Sequence, residues 1–155
     1  MNDSSEFPVT GVLLGLDFGH RRVGVAVSTV EQSIAVPLDT WLRAGDAEAD
    51  ALRLGEFVSE QQAVGLVVGL PINTDGTEGE LARDARQFAD WASAACGLPA
   101  TMWDERFSSI RAETALRQSS LGRRQRNARR DKVAAQMMLQ GFLDRNASIR
   151  KLQSE

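Results

Sequence analysis

Cysteine and histidine are almost absent from this chain of 155 residues, which has one of each, Cys96 and His20. A lone cysteine cannot form an internal disulfide, and these two residues cannot supply the ligands of a structural zinc site. The chain also lacks a basic segment followed by an apolar run near residue 1, and no stretch is apolar over the length of a bilayer. We therefore expect a cytoplasmic protein in a reducing compartment.

Positive charge is scarce over most of the chain and concentrated in one segment. Residues 1–103 hold six arginines against fifteen acidic residues, whereas residues 104–132 hold nine basic residues against four acidic ones. Of the 18 basic residues, all but two are arginine, whose guanidinium binds phosphate oxygens through paired hydrogen bonds. On charge alone, the segment is either a surface for a polyanion or a solvated charged face.

Hydrophobic periodicity predicts strands that alternate with helices in a single domain. Strands are predicted at 12–18, 23–29, 34–41, 63–71 and 100–103, and helices at 47–61, 80–96, 109–117 and 131–144. The polar, arginine-rich stretch 118–130 is predicted to be a mobile loop. A strand meander followed by alternating helix and strand predicts a mixed sheet with helices on its faces.

Three acidic residues stand where a structural role explains them incompletely. Asp17 lies within an apolar strand, where a carboxylate loses hydration unless it faces a cleft, a metal or a partner. Glu105 ends a strand, the place where sites collect in α/β sheets, and Asp131 begins the last helix, where the helix dipole favours an acid. Each also has a structural interpretation: a turn hydrogen bond for Asp17, a surface or helix-start acid for Glu105, and a helix-dipole charge for Asp131.

These three acids could meet at one end of the sheet. A cluster of carboxylates without His or Cys suits Mg²⁺ or Mn²⁺ rather than zinc. Two such ions activate a water and stabilise the leaving oxygen of a phosphodiester. The neighbouring arginines would then bind the phosphate backbone.

Other polar and aromatic residues are expected to be structural. His20 is predicted to be exposed in the turn after Asp17, and Asp104 to form a salt bridge or a cap. Packing in the core or at its edge, rather than stacking on bases, is predicted for the tryptophans Trp41, Trp91 and Trp103.

Four sequence blocks together resemble the YqgF, or RuvX, family: LLGLDFGHRRVGVAVS (13–28), VVGLPINTDGTEG (67–79), DERFSS (104–109) and DKVAAQ (131–136). They occur in the order of the family, and the resemblance covers about residues 11–145, with tails at 1–10, expected to be disordered, and 146–155. It implies an α/β, RNase H-like fold whose mixed five-stranded sheet, an antiparallel meander followed by parallel strands, is flanked by helices. Members are described as pre-16S rRNA nucleases and were earlier described as Holliday junction resolvases.

The resemblance also implies roles for individual residues. Asp17, Glu105 and Asp131 match the metal-binding catalytic acids of the family, and the GLP-x-N-x-DGT loop implies substrate-binding or site-shaping roles for Asn73 and Thr77. The predicted phosphate contacts are Arg106, Arg123, Arg124, Arg126, Arg129 and Arg130. The RNARR run before Asp131 and the two serines of DERFSS depart from the commoner pattern, and these departures bear on specificity rather than on chemistry.

The function predicted from the sequence is a metal-dependent endonuclease, using Mg²⁺ or Mn²⁺, that processes the 5′ end of precursor 16S rRNA. Resolution of Holliday junctions in branched DNA is an alternative with the same chemistry, and it would need a dimer. The chain itself is compatible with a monomer or a homodimer. A non-catalytic RNA-binding or transcription accessory factor is the alternative from another class. An ATP-binding enzyme of the actin and sugar-kinase type begins with a similar hairpin but needs two such domains. No membrane partner is expected.

Overall fold

The structure, a computed structural model, describes residues 7–107 and 123–154, except for the side chains of residues 107, 123–128 and 154. The strands are β1 (Val12–Asp17), β2 (Arg22–Ser28), β3 (Ala35–Leu42), β4 (Ala63–Leu70) and β5 (Ala100–Asp104). The helices are α1 (Ala47–Gln61), α2 (Glu80–Cys96) and α3 (Arg123–Ser154), and a short 3-10 helix (Glu105–Phe107) follows β5. The five predicted strands and the helices at 47–61 and 80–96 are confirmed. The helix predicted at 109–117 lies outside the described residues.

The five strands form one mixed sheet in the order β3-β2-β1-β4-β5. β1 to β3 are antiparallel neighbours, whereas β4 runs parallel to β1 and β5 runs parallel to β4. This is the predicted meander followed by parallel strands. The carboxyl ends of β1, β4 and β5 therefore lie at the same edge of the sheet, which we call the carboxyl edge. The turn between β1 and β2 lies at this edge too.

The two faces of the sheet bury separate cores. α1 and α2 cover one face, where Leu14 and Leu16 of β1 are fully buried. α3 covers the other face, where Leu13 is fully buried and Gly15 lies against Leu139. Because side chains alternate along a strand, Asp17 follows Leu13 and Gly15 onto the α3 face.

The last helix is longer than the sequence predicts, and the predicted mobile loop at 118–130 is wrong from residue 123 onward. Arginine, glutamine and alanine are good helix formers, and neither glycine nor proline interrupts residues 123–140. The charge of this stretch suggested a loop, but charge alone does not oppose a helix. The arginines at 123–130 therefore stand on a regular helix that leads directly into Asp131.

Residues of the two predicted tails make contacts, one with the core helix and one with each other. The ring of Phe7 packs edge-on against Phe142 of α3, with ring centroids 5.8 Å apart. Arg150, on the continuation of α3 beyond residue 145, donates a hydrogen bond to the carbonyl oxygen of Val9 at 3.2 Å. In the described parts of the chain, no helix combines the length and apolar character that crossing a bilayer requires.

Candidate active site

Asp17 and Glu105 form a buried carboxyl pair at the carboxyl edge. Asp17 ends β1 and Glu105 follows β5, so the two residues approach each other across the end of β4. Their side chains are hydrogen-bonded, and two carboxyl groups can share such a bond only when one carries a proton. Burial raises the pKa of both groups, and the neighbouring Asp17 raises the pKa of Glu105 further. The pair therefore retains a proton that isolated carboxylates would release at neutral pH.

Asp131 lies beside this pair but has a different partner. Its Oδ2 atom is 3.1 Å from Nε of Arg22, the first residue of β2. Burial, and to a smaller degree the negative charge of Asp17, raise the pKa of Asp131, while Arg22 and Arg130 oppose the shift. Within the described ranges, no group of three acidic, His or Cys side chains is arranged to hold a metal ion as it stands. Two of the three predicted acids are in contact, and Arg22 holds the third beside them.

Two glycines that the sequence analysis passed over make room for the acids. Gly24 of β2 is opposite Asp17, and a Cβ atom there would overlap the main-chain carbonyl of Asp131. A Cβ atom on Gly69 of β4 would overlap the carboxyl group of Glu105. A glycine within an apolar strand is a known sign of close approach, and this signal could have identified both positions.

Asn73 and Thr77 hold together the loop that follows β4. Nδ2 of Asn73 donates to Oγ1 of Thr77 at 3.0 Å, and the same hydroxyl donates to Asp75 at 2.6 Å. The main-chain N–H of Asn73 donates to the main-chain carbonyl of Thr77 at 2.9 Å, and Gly76 takes a left-handed conformation with φ +87°. Both side chains therefore shape a loop at the carboxyl edge.

The arginines predicted to bind phosphate have different surroundings. Arg106 forms a salt bridge with Asp104 at 2.7 Å, as predicted for Asp104, and its guanidinium lies beside Gly76.

The other predicted arginines lie on α3. Arg129 and Arg130 are exposed, and the charge of Arg130 partly opposes the upward pKa shifts of Asp17 and Asp131. Arg123, Arg124 and Arg126 lie in the first turns of α3, and their side chains are outside the described part. Arg22 was missed, because nothing in the sequence distinguishes it from Arg21.

The donor chemistry of these acids fits a hard divalent cation. Asp17 and Glu105 offer carboxylate oxygens as ligands. Burial opposes the ionisation of both groups at once, and a bound cation can compensate their charges in place of the shared proton. The Oδ2 atom of Asp131 is buried, and its ion pair with Nε of Arg22 at 3.1 Å does not have hydrogen-bond geometry. This oxygen therefore keeps acceptor capacity that a divalent cation could use.

The residues expected to be structural contact groups other than the three candidate acids. His20 is exposed in its turn, with Nε2 2.7 Å from the carboxylate of Asp84. Trp41 is buried in the core, and Trp103 packs edge-on against Phe142 with centroids 6.1 Å apart. Trp91 is half-buried and packs against the same core as Trp41.

Sequence relatives share most of this chain. A family model described as RuvX, Holliday junction resolvase, matches residues 11–145. The chain is 42% identical over 146 residues to a protein of Rhodobacter capsulatus named "Putative pre-16S rRNA nuclease", covering 94% of this chain and 91% of the relative. A protein of the same name from Paracoccus denitrificans is 45% identical over 138 residues, covering 89% of this chain and 87% of the relative.

Solved structures share the fold at low sequence identity. RuvC of T. thermophilus in complex with a Holliday junction substrate has a TM-score of 0.55 at 16% identity, covering 88% of this chain and 96% of that one. The yeast mitochondrial Holliday junction resolvase Ydc2 has a TM-score of 0.56 at 9% identity, covering 96% and 84%. These likenesses confirm the predicted RNase H-like fold.

Proposed function

Because this chain belongs to the RuvX family, we propose that it is a metal-dependent nuclease that hydrolyses phosphodiester bonds at the 5′ end of precursor 16S rRNA. The observation that carries the proposal is the buried carboxyl pair of Asp17 and Glu105, with Asp131 beside it. The names of the two relatives support the substrate. The proposal places the protein in the cytoplasm, with nucleic acid and not a membrane as its partner.

Asp17, Glu105 and Asp131 would hold Mg²⁺ or Mn²⁺, and the bound ions supply an activated water and stabilise the leaving oxygen. The remaining steps belong to the side chains of this chain. Asp17 and Glu105 release their shared proton to solvent when both ionise. Arg22 keeps Asp131 oriented at the carboxyl edge, and the missing side chain of Gly24 lets the backbone of Asp131 approach β2.

Arginines on both sides of the acids would bind the phosphate backbone of the substrate. Arg129 and Arg130 stand on a helix, so little conformational entropy of the backbone is lost when substrate binds. The salt bridge between Arg106 and Asp104 would open when a phosphate competes for the guanidinium. Arg123, Arg124 and Arg126 extend the basic surface along α3, while Asn73 and Thr77 keep the neighbouring loop closed.

Resolution of branched DNA is the second candidate, because the family model that matches this chain is described as a Holliday junction resolvase. The two candidates share the acids and the chemistry, and differ in the substrate and in the number of sites that must act together. Resolution requires two sites related by symmetry, and hence a dimer, whereas trimming of an RNA end is open to a monomer or a homodimer.

The experiment that tests the proposal is cleavage of end-labelled precursor 16S leader RNA and of a four-way DNA junction, with Mg²⁺, Mn²⁺ or EDTA. The parent is compared with Asp17→Asn and Glu105→Gln, and the matched controls are Asp90→Asn and Glu60→Gln, two exposed acids on α2 and α1. We expect metal-dependent RNA cleavage that falls at least about 100-fold in the site variants and is unchanged in the controls. Circular dichroism checks that each variant is folded.

Three other outcomes would contradict the proposal. Junction cleavage without RNA cleavage would make the protein a resolvase. Cleavage that persists in EDTA or in both site variants would remove the acids from the mechanism. Salt-sensitive RNA binding by parent and variants alike, with no cleavage of either substrate, would make it a non-catalytic binding factor.

A further inference from the structure

A recess opens at the carboxyl edge, on the face of the sheet opposite Asp17. It has a volume of about 850 Å³ and lies between the β1–β2 turn, the end of β3, the start of α1 and the exposed side of α2. We call it the aromatic groove and define it by Phe18, Arg21, Arg43, Phe88 and Trp91. Its volume lies within the range of pockets for small ligands, about 300–1,000 Å³. This volume is sufficient for a single nucleotide.

One wall of the aromatic groove is a row of rings. The centroids of Phe18 and Phe88 are 4.9 Å apart, and those of Phe88 and Trp91 are 5.7 Å apart. Phe88, in the middle of the row, is buried, whereas Trp91 at its end is half-buried. The exposed part of an indole that packs on a neighbouring ring can stack on an unpaired base without regard to its sequence.

An exposed arginine gives the aromatic groove a contact for an anion. Of the two acids in the lining, Asp50 is ion-paired with Arg43 at 3.5 Å, and Asp84 is hydrogen-bonded to His20 at 2.7 Å. Arg43 is held over the rings of Phe18 and Phe88, 5.4–5.7 Å from their centroids. Arg21 is exposed and makes no ion pair with a described residue, so its charge is available to a phosphate.

The β1–β2 turn connects the groove to the candidate active site. Asp17 and Arg22 flank the turn and take part in the acid cluster, whereas Phe18 and Arg21, each one residue further into the turn, line the groove. Consecutive Cα atoms are about 3.8 Å apart. A nucleic-acid strand that crosses the carboxyl edge at Asp17 therefore reaches Trp91 and Arg21 within a few nucleotides.

We propose that the aromatic groove binds an unpaired nucleotide adjacent to the phosphate that is cleaved, with its base stacked on Trp91 and its phosphate bound by Arg21. This inference rests on the proposed nuclease function and adds a requirement for a single-stranded nucleotide next to the cleaved bond. It also gives Trp91 a role in binding beyond the packing that the sequence suggested.

The test is binding of fluorescein-labelled single strands of RNA and DNA in EDTA, so that the readout does not depend on cleavage. The variants are Trp91→Leu, which keeps the apolar contact but removes the aromatic face, and Trp91→Phe, which keeps a smaller one. Arg21→Ala is matched by Arg83→Ala, an exposed arginine on α2 outside the groove. Strands carrying a photoreactive uracil locate the base by cross-linking and mass spectrometry.

We expect Trp91→Leu to weaken single-strand binding about ten-fold, Trp91→Phe to restore most of it, and Arg83→Ala to match the parent. Arg21→Ala should also reduce the salt dependence by about one released ion. A preference of the parent for the RNA strand would identify RNA as the source of the nucleotide, and a preference for the DNA strand would identify DNA. In either case the cross-link should map to the groove.

Failure of this inference is distinguishable from failure of the nuclease proposal. If the parent cleaves RNA while Trp91→Leu and Arg21→Ala bind single strands as tightly as Arg83→Ala does, the groove is not a nucleotide site and the nuclease stands. Cross-links that map only to α3 would overturn the groove in the same way. If the groove variants lose binding but Asp17→Asn retains cleavage, the catalytic role of the acids is contradicted and the nucleotide site in the groove is supported.

Discussion

Buried carboxyl groups lie on both faces of the sheet, and their surroundings differ. On the α1 side, Asp50 is 2% exposed, accepts a hydrogen bond from the Ala44 amide at 2.8 Å and has the guanidinium of Arg43 3.5 Å away. On the α3 side, Asp17 and Glu105 are buried against each other, and burial raises the pKa of both. The first carboxylate has its counter-charge built into the fold, whereas the pair must share a proton.

This difference separates an ion pair built into the fold from a pair of acids for which we propose a metal-binding role. A buried ion pair is costly to break, because the remaining charge is left without a partner. Two adjacent carboxyl groups lower stability in the absence of a cation, which is a common feature of functional sites. Four measurements of stability test this difference between the two sites.

Replacing Asp50 with asparagine should lower the free energy of unfolding by about 2–4 kcal/mol, because it leaves the mostly buried Arg43 uncompensated. Urea denaturation measures the change. Asp90→Asn, an exposed acid on α2, is the control and should stay within about 0.5 kcal/mol of the parent. An equally small effect at Asp50 would mean that the counter-charge of Arg43 contributes nothing.

Replacing Glu105 with glutamine should have the opposite sign and raise the stability of the metal-free protein by about 1–3 kcal/mol at neutral pH. The amide is neutral and can donate a hydrogen bond to Asp17 without an extra proton. Saturating Mg²⁺ should stabilise the parent and leave the variant unchanged, because only the parent retains the full ligand set. A loss of metal-free stability in Glu105→Gln would contradict the strained-pair interpretation.

Acidification from pH 7 to pH 5 should stabilise the metal-free parent by about 1–2 kcal/mol. The native pair holds a proton that the unfolded chain releases above the ordinary carboxyl pKa, so stability is greatest at low pH and is lost as pH rises toward the raised native pKa values. Thermal unfolding at several pH values measures the change. Glu105→Gln should flatten the profile, and an unchanged slope in that variant would assign the proton to another group.

Replacing Arg22 with glutamine should have the smallest effect, a loss of about 0.5–1 kcal/mol, because its ion pair with Asp131 is partly exposed, 39% for Arg22 and 22% for Asp131. Urea denaturation at low and high salt measures it, and salt should reduce the difference. Arg21→Gln, next to Arg22 but without an ion pair to a described residue, is the control. If both variants lose the same stability, Arg22 does not hold Asp131.

Local patterns predicted most of the fold because each strand and the first two helices are short and strongly periodic. α1 and α2 begin and end where their apolar stripes and flanking turns indicate. α3 was predicted too short, because the charge of its first turns concealed good helix propensity. The roles of Gly24 and Gly69 were not predicted, because the groups that pack against them, Asp131 and Glu105, are distant in sequence.

Periodicity and motif spacing, which are local properties of the chain, were enough to predict the order of the described elements, the mixed sheet and the family, whereas the roles of the three acids stay a prediction. The fold then sets contacts that no local pattern shows: Asp17 pairs with Glu105, Asp131 meets Arg22, and the rings of Phe18, Phe88 and Trp91 line a groove on the other face of the sheet. These outcomes depend on burial and on distances between segments far apart in the chain, where desolvation and packing outweigh local preference.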